Sequence, residues 1–361
     1  MTASGRQPGA GGPRAAPPAI LAEYAALAEP RIAAFLDARA ADAAGLPVDL
    51  RAPFAALREY VLRGGKRLRG ALVVLGCEAA GGEREWALDA SVGMELLHAY
   101  LLVHDDFMDR DEVRRGGPTV HAALERATGS AHLGASLAVL LGSLCQAWAL
   151  ELVLGAKVPA ERTAAAGRLL AHALQEVTVG QMQDVSAPLG RDLPAREVLA
   201  VQQMKTGGYS FELPLRLGAV LAGGGEPVLG ALERFARPLG QAFQIADDLL
   251  GTFGAPEVTG KPNASDLREG KRTLLIARAF EAADPADAAV LRAGLGKRDL
   301  GEAEAAALRE VLVRSGAARS CHEDAERLCS EALRALDGAP FPAPVAQALR
   351  EIAAYSVRRA A

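Results

Sequence analysis

Asp105 and Asp109 lie four residues apart at the end of a largely apolar run, and an arginine pair, Arg114-Arg115, follows. On an α-helix that spacing puts both carboxylates on one face, where unpaired like charges repel. They need a cation. Hard oxygen donors suit Mg²⁺, which typically takes one or two protein carboxylates and fills its other positions with water and substrate phosphate. Taken alone, Asp105-Asp106-Phe107-Met108-Asp109 reads more readily as a solvated acidic turn. Three features shift the balance: the arginine pair, His98 two turns before Asp105 on nearly the same face, and a second pair, Asp247-Asp248, behind a similar apolar run.

Other stretches offer complementary chemistry. Arg63-Gly64-Gly65-Lys66-Arg67-Leu68-Arg69-Gly70 opens an apolar helix. Glycines and cations at a helix N-terminus make an anion site, since free N–H groups, the dipole and Lys/Arg act together; the alternative is a charged surface turn. Gln181 and Asp184, three apart, share a helix face, as partners of metal-bound water or as an exposed edge. Lys205-Thr206-Gly207-Gly208 sets a cation and a hydroxyl beside glycines that either open the helix to a ligand or kink it. A carboxylate one turn after Asp247 would stand at position 251, which is Gly. The polar loop 252–270, with Lys261 and Asp266 and with Lys271 just beyond, is long for a connector and reads as a lid.

The elements that must hold these groups are helices. The chain has 361 residues, of which 50% are hydrophobic and only 4% aromatic, a balance dominated by Ala and Leu that favours helix. Helical spacing runs over 19–41, 51–62, 71–79, 86–109, 133–154, 162–185 and 228–251, with further amphipathic helices from 272 to 355. No sustained period-two alternation occurs, so no sheet is expected, and neither repeat nor linker divides the chain. Residues 1–17 read as a disordered tail and 18–361 as one all-α domain. A net charge of -4 gives no nucleic-acid footprint. Cys77, Cys145, Cys321 and Cys329 lack CxxC spacing and read as buried thiols of a reducing compartment. No signal peptide is expected, and 133–154 reads as a core helix, with a membrane span the lesser alternative.

Carboxylates at two helix ends, ringed by Lys66, Arg69, Arg114, Arg115, Lys205, Lys261 and Lys271, are satisfied together by a metal-bridged polyanion, with diphosphate the natural candidate. Apolar helices below it call for a hydrocarbon tail, and a diphosphate head with such a tail describes an isoprenoid diphosphate as the expected ligand. No Ser/His/Asp triad, P-loop or GxGxxG is present.

In combination, Gly65 to Arg69, His98 to Arg115, Gly180 to Asp184, Lys205-Thr206, Phe243 to Asp248 and Lys261 to Lys271 resemble the trans-isoprenyl (polyprenyl) diphosphate synthases over about residues 20–355, the geranylgeranyl diphosphate synthases most. The resemblance implies a single-domain, isoprenoid-synthase-type helical bundle around a deep central cavity, usually a homodimer and cytoplasmic. It implies three Mg²⁺ per active site, on Asp105 and Asp109, with Asp106 in support, and on Asp247. It further implies an isopentenyl diphosphate site of Lys66, Arg69, His98 and Arg115. The implied allylic diphosphate site is Arg114, Lys205, Thr206, Gln244 and Lys261, with Lys271 closing over it. Lys205 and Arg114 would assist departure of the diphosphate with the metal carboxylates. Position 251, Asp in many members, is Gly here as in some geranylgeranyl-type members. Tyr100 and Leu101, five and four residues before Asp105, would floor the tail pocket, Tyr100 about 7.5 Å deeper along the axis, and fit geranylgeranyl diphosphate, with farnesyl diphosphate next. A non-catalytic partner subunit usually lacks one acidic motif or the allylic cations. A class I terpene cyclase needs no second cationic site.

Overall fold

The computed structural model of the protein describes residues 17–186, 194–254 and 264–357, less the side chains of Gln203, Lys205, Thr206 and Ser265. Most of the tail expected over 1–17 therefore lies outside the described residues. The chain is all-α. Its helices are α1 (Ala19–Ala43), α2 (Arg51–Leu62), α3 (Leu68–Ala79), α4 (Glu85–Asp109), α5 (Val120–Thr128), α6 (Ala131–Leu154), α7 (Ala160–Ser186) and α8 (Ala195–Gln202). A π-helical segment (Gln203–Glu212) joins α8 to α9 (Leu213–Ala222), followed by α10 (Glu226–Phe253), α11 (Ser265–Glu269), α12 (Leu274–Ala282), α13 (Pro285–Gly294), α14 (Glu302–Arg314), α15 (Ala317–Ala335) and α16 (Ala343–Val357).

Local chemistry sets several boundaries. Ser130 caps α6 by accepting from the Leu133 N–H, and Thr273 caps α12 by accepting from that of Ile276. Such caps are each worth about 1 kcal/mol. Arg110, in the left-handed region at φ 61°, ends α4 directly after Asp109.

α3 is buried on nearly all sides, from Leu68 through Ala79, which makes it the central helix. α4 packs on α3 and α6, α9 packs on α3, and α10 lies against α15 and the π-helical segment. The α3–α9 contact is backbone to backbone. A Cβ at Gly76 would fall 2.0 Å from the Leu215 carbonyl oxygen, and one at Gly218 would fall 1.8 Å from that of Val73. Both glycines are there because no side chain fits between the helices. α6 is long and apolar enough to cross a membrane by length and composition, with a mean hydropathy of 1.9; it packs chiefly on α4 and α5, and also meets α7 and α2.

Two local features depart from the sequence reading. A two-stranded antiparallel ladder pairs Val113–Arg114 with Gly117–Pro118. It turns through Arg115 and Gly116, both at positive φ (52° and 71°), as a tight two-residue hairpin of the I′ kind requires. Four residues are too few for alternation to reveal. Second, Gly207-Gly208 lie within a π-helical segment, a winding that spacing did not suggest. Gly240 of α10 approaches there, its Cβ position 2.8 Å from the Gly207 carbonyl oxygen.

Candidate active site

α4 delivers the first acidic wall. Met94, Leu96, Leu97 and Val103 are buried along it, each contributing roughly 1.5–3 kcal/mol, so its last turn is held in one place. Asp106 turns inward and is fully buried. It accepts from Tyr60 Oη at 2.6 Å and from Arg114 Nε at 2.5 Å. Burial pushes its carboxyl above the ordinary range against the pull of Arg114 and Tyr60. Nη2 of Arg114 lies 3.9 Å from Asp105 Oδ2 and 3.5 Å from Asp111 Oδ2. Asp106 thus anchors the hairpin arginine beside the outward-facing Asp105, whose Oδ1 also accepts from Gln181 Nε2 at 3.2 Å.

The turn before α3 presents the cations. Gly64, Gly65 and Arg67 all have positive φ (65°, 122° and 49°), which folds the Arg67 side chain inward rather than along a helix face. Arg67 donates to the Val61 carbonyl at 2.9 Å, and its guanidinium lies 3.3 Å from Glu29 and 3.7 Å from Glu95. Glu95 Oε1 accepts from the Gly70 N–H at 2.8 Å. Lys66 and Arg69 are left facing the cavity. Arg69 Nη2 donates to Tyr209 Oη at 2.9 Å and to Ser210 Oγ at 2.7 Å, and Nη1 lies 3.3 Å from His98 Nε2. A guanidinium only donates, so His98 accepts through Nε2 and carries its proton on Nδ1, 3.5 Å from Tyr209 Oη. Burial, reinforced by Arg69, holds His98 well below its usual pKa, and the ring is neutral. Arg115 Nη1 donates to the Gly64 carbonyl at 2.8 Å, tying the hairpin to the turn, and Lys66 Nζ lies 4.9 Å from the Tyr355 ring centroid.

α10 forms the opposite wall. Asp247 lines the cavity. Asp248 also borders the cavity but is nearly buried, accepting from Gln202 Nε2 at 2.5 Å and Gln244 Nε2 at 2.7 Å. Burial, with Asp266 and Asp247 nearby, pushes its carboxyl well above the usual range. Lys271 joins the walls: Nζ lies 2.7 Å from Glu269, 3.5 Å from Asp266 and 3.8 Å from Asp109.

Between the walls is a cavity of about 1220 Å³, above the roughly 300–1,000 Å³ of ordinary small-molecule pockets. Asp105, Asp247, Lys66, Arg69, His98, Arg114, Arg115, Gln244 and Lys271 line it, with Tyr100 and Leu101 on the same α4 face. The ring of Tyr100 meets that of His104 edge-on at 4.7 Å, and His104 Nε2 lies 3.0 Å from the Val139 carbonyl oxygen of α6. Asp109 meets Lys271 beside the cavity. Lys261 lies outside the described residues, as do the side chains of Lys205 and Thr206, whose backbone is in the π-helical segment.

Sequence reasoning passed over Tyr60, Glu95, Gln202, Tyr209 and Ser210, each of which holds a site residue in place. Glu95 carried a signal: a lone carboxylate in an apolar helix must be paired. The oxygen-only donors on the two walls fit a hard divalent cation. Among the described residues no three His, Cys, Asp or Glu side chains form a ready-made cage, as suits a metal that keeps water and phosphate oxygens in its shell.

Comparison with known proteins agrees with this chemistry. The polyprenyl synthetase family model matches residues 52–312. The chain is 35% identical over 300 residues to (2E,6E)-farnesyl diphosphate synthase of Mycobacterium tuberculosis, covering 82% of this chain and 80% of that one. It is 30% identical over 299 residues to geranylgeranyl diphosphate synthase of Sulfolobus acidocaldarius, covering 82% and 87%. The crystal structure of geranylgeranyl pyrophosphate synthase from Corynebacterium glutamicum, complexed with isoprenyl diphosphate and magnesium, superposes with a TM-score of 0.89. That match has 34% identity and covers 94% of this chain and 99% of that one.

Proposed function

The chain belongs to the polyprenyl synthetase family, and on that premise we propose that it condenses isopentenyl diphosphate with an allylic diphosphate to make geranylgeranyl diphosphate. It is a trans-prenyltransferase of the short-chain prenyl diphosphate synthases. One observation carries the assignment of its site: Asp105 and Asp247 face one cavity that the cationic set Lys66, Arg69 and Arg115 also lines. A non-catalytic subunit has no use for both acidic walls, and a terpene cyclase has none for a second cationic site.

Asp105, Asp109 and Asp247 would hold Mg²⁺, three ions per site, which when bound neutralises the diphosphate leaving the allylic substrate. Arg114, fixed by Asp106, stands beside Asp105 to offset the same charge, with Lys205, Thr206, Gln244, Lys261 and Lys271 as the remaining allylic-site groups. Lys66, Arg69, His98 and Arg115 hold isopentenyl diphosphate, and the neutral His98 directs Arg69. As the allylic C–O bond breaks, the π bond of isopentenyl diphosphate attacks the allylic cation to form the new C–C bond. A proton then leaves, with the released diphosphate as its acceptor. The apolar cavity walls exclude water, which would otherwise quench the cation.

Tyr100 and Leu101 set the depth available to the growing chain. The 35% identity to the mycobacterial farnesyl diphosphate synthase supports farnesyl diphosphate as the second reading of product length. The enzyme is taken as cytoplasmic, its synthase domain spanning residues 18–361 and acting as a homodimer without a membrane span. Leu133, Leu140, Leu144 and Leu154 lie exposed along one face of α6, and covering such a stripe with its own copy satisfies the helix in water. The test is incorporation of labelled isopentenyl diphosphate with Mg²⁺ and an allylic partner, followed by chromatography of the dephosphorylated products. Geranylgeraniol, lost on chelation with EDTA, is expected. Cyclic hydrocarbon from a single prenyl diphosphate would overturn the reading.

A further inference from the structure

Arg114 and Arg115, assigned above to different diphosphates, stand on one short hairpin. A two-stranded hairpin is marginal by itself in water, so groups outside it must hold it. Asp106 holds the Arg114 side chain, and Arg63 holds the backbone. Arg63 directly follows α2, and the chain turns through it. The Gly64 N–H reaches the Leu62 carbonyl at 2.7 Å, with φ -69° and ψ 69° at Arg63, an inverse γ-turn. From there the guanidinium lies across both strands. Nη1 donates to the Pro118 carbonyl at 2.8 Å and lies 3.4 Å from that of Arg114, while Nη2 donates to Glu59 Oε1 at 2.7 Å. A Cβ at Gly117 would fall 2.2 Å from Cζ and 2.4 Å from Nη1 of Arg63. Gly117 has no positive φ, so its backbone would accept alanine; what keeps the position bare is the guanidinium lying on it. The tie is answered in the other direction. Arg115 reaches back to the Gly64 carbonyl, and a Cβ at Gly65 would fall 3.0 Å from its Nη1. Two arginines thus cross between turn and hairpin in opposite directions, each over a glycine.

We propose that Arg63 is a positioning residue for isopentenyl diphosphate, acting through Arg115. It fixes the hairpin against the Gly64-Gly65 turn, so that Arg115, Lys66 and Arg69 meet the diphosphate as one set. Arginine at 63 and no side chain at 117 are then a single requirement. Arg114 depends on it less, because Asp106 anchors that side chain independently. Arg63 also borders the cavity, so the test must separate holding Arg115 from touching the substrate. This rests on the prenyltransferase reading above.

The test is steady-state kinetics on the full-length protein with Mg²⁺ and both substrates, with circular dichroism and Tm recorded for every variant. Arg63→Ala should raise KM for isopentenyl diphosphate roughly tenfold, the scale of one hydrogen bond from a charged donor, with kcat and KM for the allylic substrate little changed. Gly117→Ala keeps the charge but displaces the guanidinium. It should raise the same KM, add nothing in the Arg63→Ala background, and cover the case in which Arg63→Ala misfolds. Arg63→Ala should likewise add little in the Arg115→Ala background, since coupled residues are not additive. Trypsin should cut after Arg115 faster in Arg63→Ala than in wild type, as read by mass spectrometry. An unchanged KM for isopentenyl diphosphate, an equal rise in both KM values with a lower Tm, or cleavage no faster than in wild type would overturn the proposal. So would effects of Arg63→Ala and Arg115→Ala that multiply, which would make Arg63 a direct ligand. A wild-type protein that consumes no isopentenyl diphosphate would instead remove the functional reading, and the trypsin rates alone would then decide whether Arg63 clamps the hairpin.

Discussion

The guanidinium of Arg67 and the carboxylate of Glu95 face each other at 3.7 Å, both almost fully buried, beneath the turn that presents Lys66 and Arg69. Removing one member of a buried pair leaves the other charge uncompensated, at a cost of roughly 3–5 kcal/mol. Arg67→Met should therefore lower Tm and loosen the turn. Steady-state kinetics should show KM for isopentenyl diphosphate rising severalfold, with KM for the allylic substrate little changed. An equal rise in both would argue that Arg67 supports the fold generally and not this turn.

Chain length should respond to two substitutions in opposite directions. Tyr100→Ala removes the ring that packs on His104 and should lengthen the product. Gly142 of α6 lies beneath His104, and a Cβ there would fall 2.5 Å from the imidazole Cδ2. Gly142→Ala should push His104 toward the cavity and shorten the product. Chromatography of dephosphorylated products reads both, and an unchanged spectrum for Tyr100→Ala removes Tyr100 as the floor.

Asp106 should matter although it faces away from the cavity. Tyr60→Phe deletes one hydrogen bond to it and should cost about 1–2 kcal/mol, while Asp106→Ala also strips Arg114 of its buried partner and should cost more. With Arg114 no longer held beside Asp105, kcat should fall in Asp106→Ala even at temperatures where circular dichroism reports a folded protein.

His98 gives a pH dependence of definite sign. Its folded pKa lies well below the ordinary 6.5. As pH falls through 6.5, the unfolded chain binds a proton that the native state does not. Stability attached to His98 is therefore complete above that value and is lost progressively below it. Melting curves from pH 5 to 8 should show wild-type Tm dropping on the acid side more steeply than that of His98→Gln. Parallel curves would mean that the ring titrates normally.

Much of this was readable from residue spacing. α2 runs from Arg51 to Leu62 as its periodicity requires, and α4 ends at Asp109 because Arg110 takes the left-handed conformation there. Asp105 and Asp247 reach one cavity because each stands in the last two turns of a long, largely apolar helix. What spacing could not reveal were contacts between residues far apart in the chain. Arg67 read as one more cation of the glycine-rich turn; its positive φ, directly before α3, accompanies a side chain folded onto Val61, Glu29 and Glu95 instead. Tyr209 and Ser210 meet Arg69 across roughly 140 positions of sequence, a pairing no local pattern encodes. Asp266 was simply one charge in a polar loop until α11 placed it beside Lys271.

The wide coil from Gln203 to Glu212 bears on insertions and deletions. Tyr209 and Ser210 meet Arg69 from within it. Each hydrogen-bonded ring of a π-helix encloses one residue more than that of an α-helix, so trimming one residue returns the stretch to ordinary winding with α9 still in phase and Gly218 still against Val73. What such a trim should cost is the placement of Tyr209 and Ser210 on Arg69, so the length of this stretch serves the cationic turn more than the packing of the bundle.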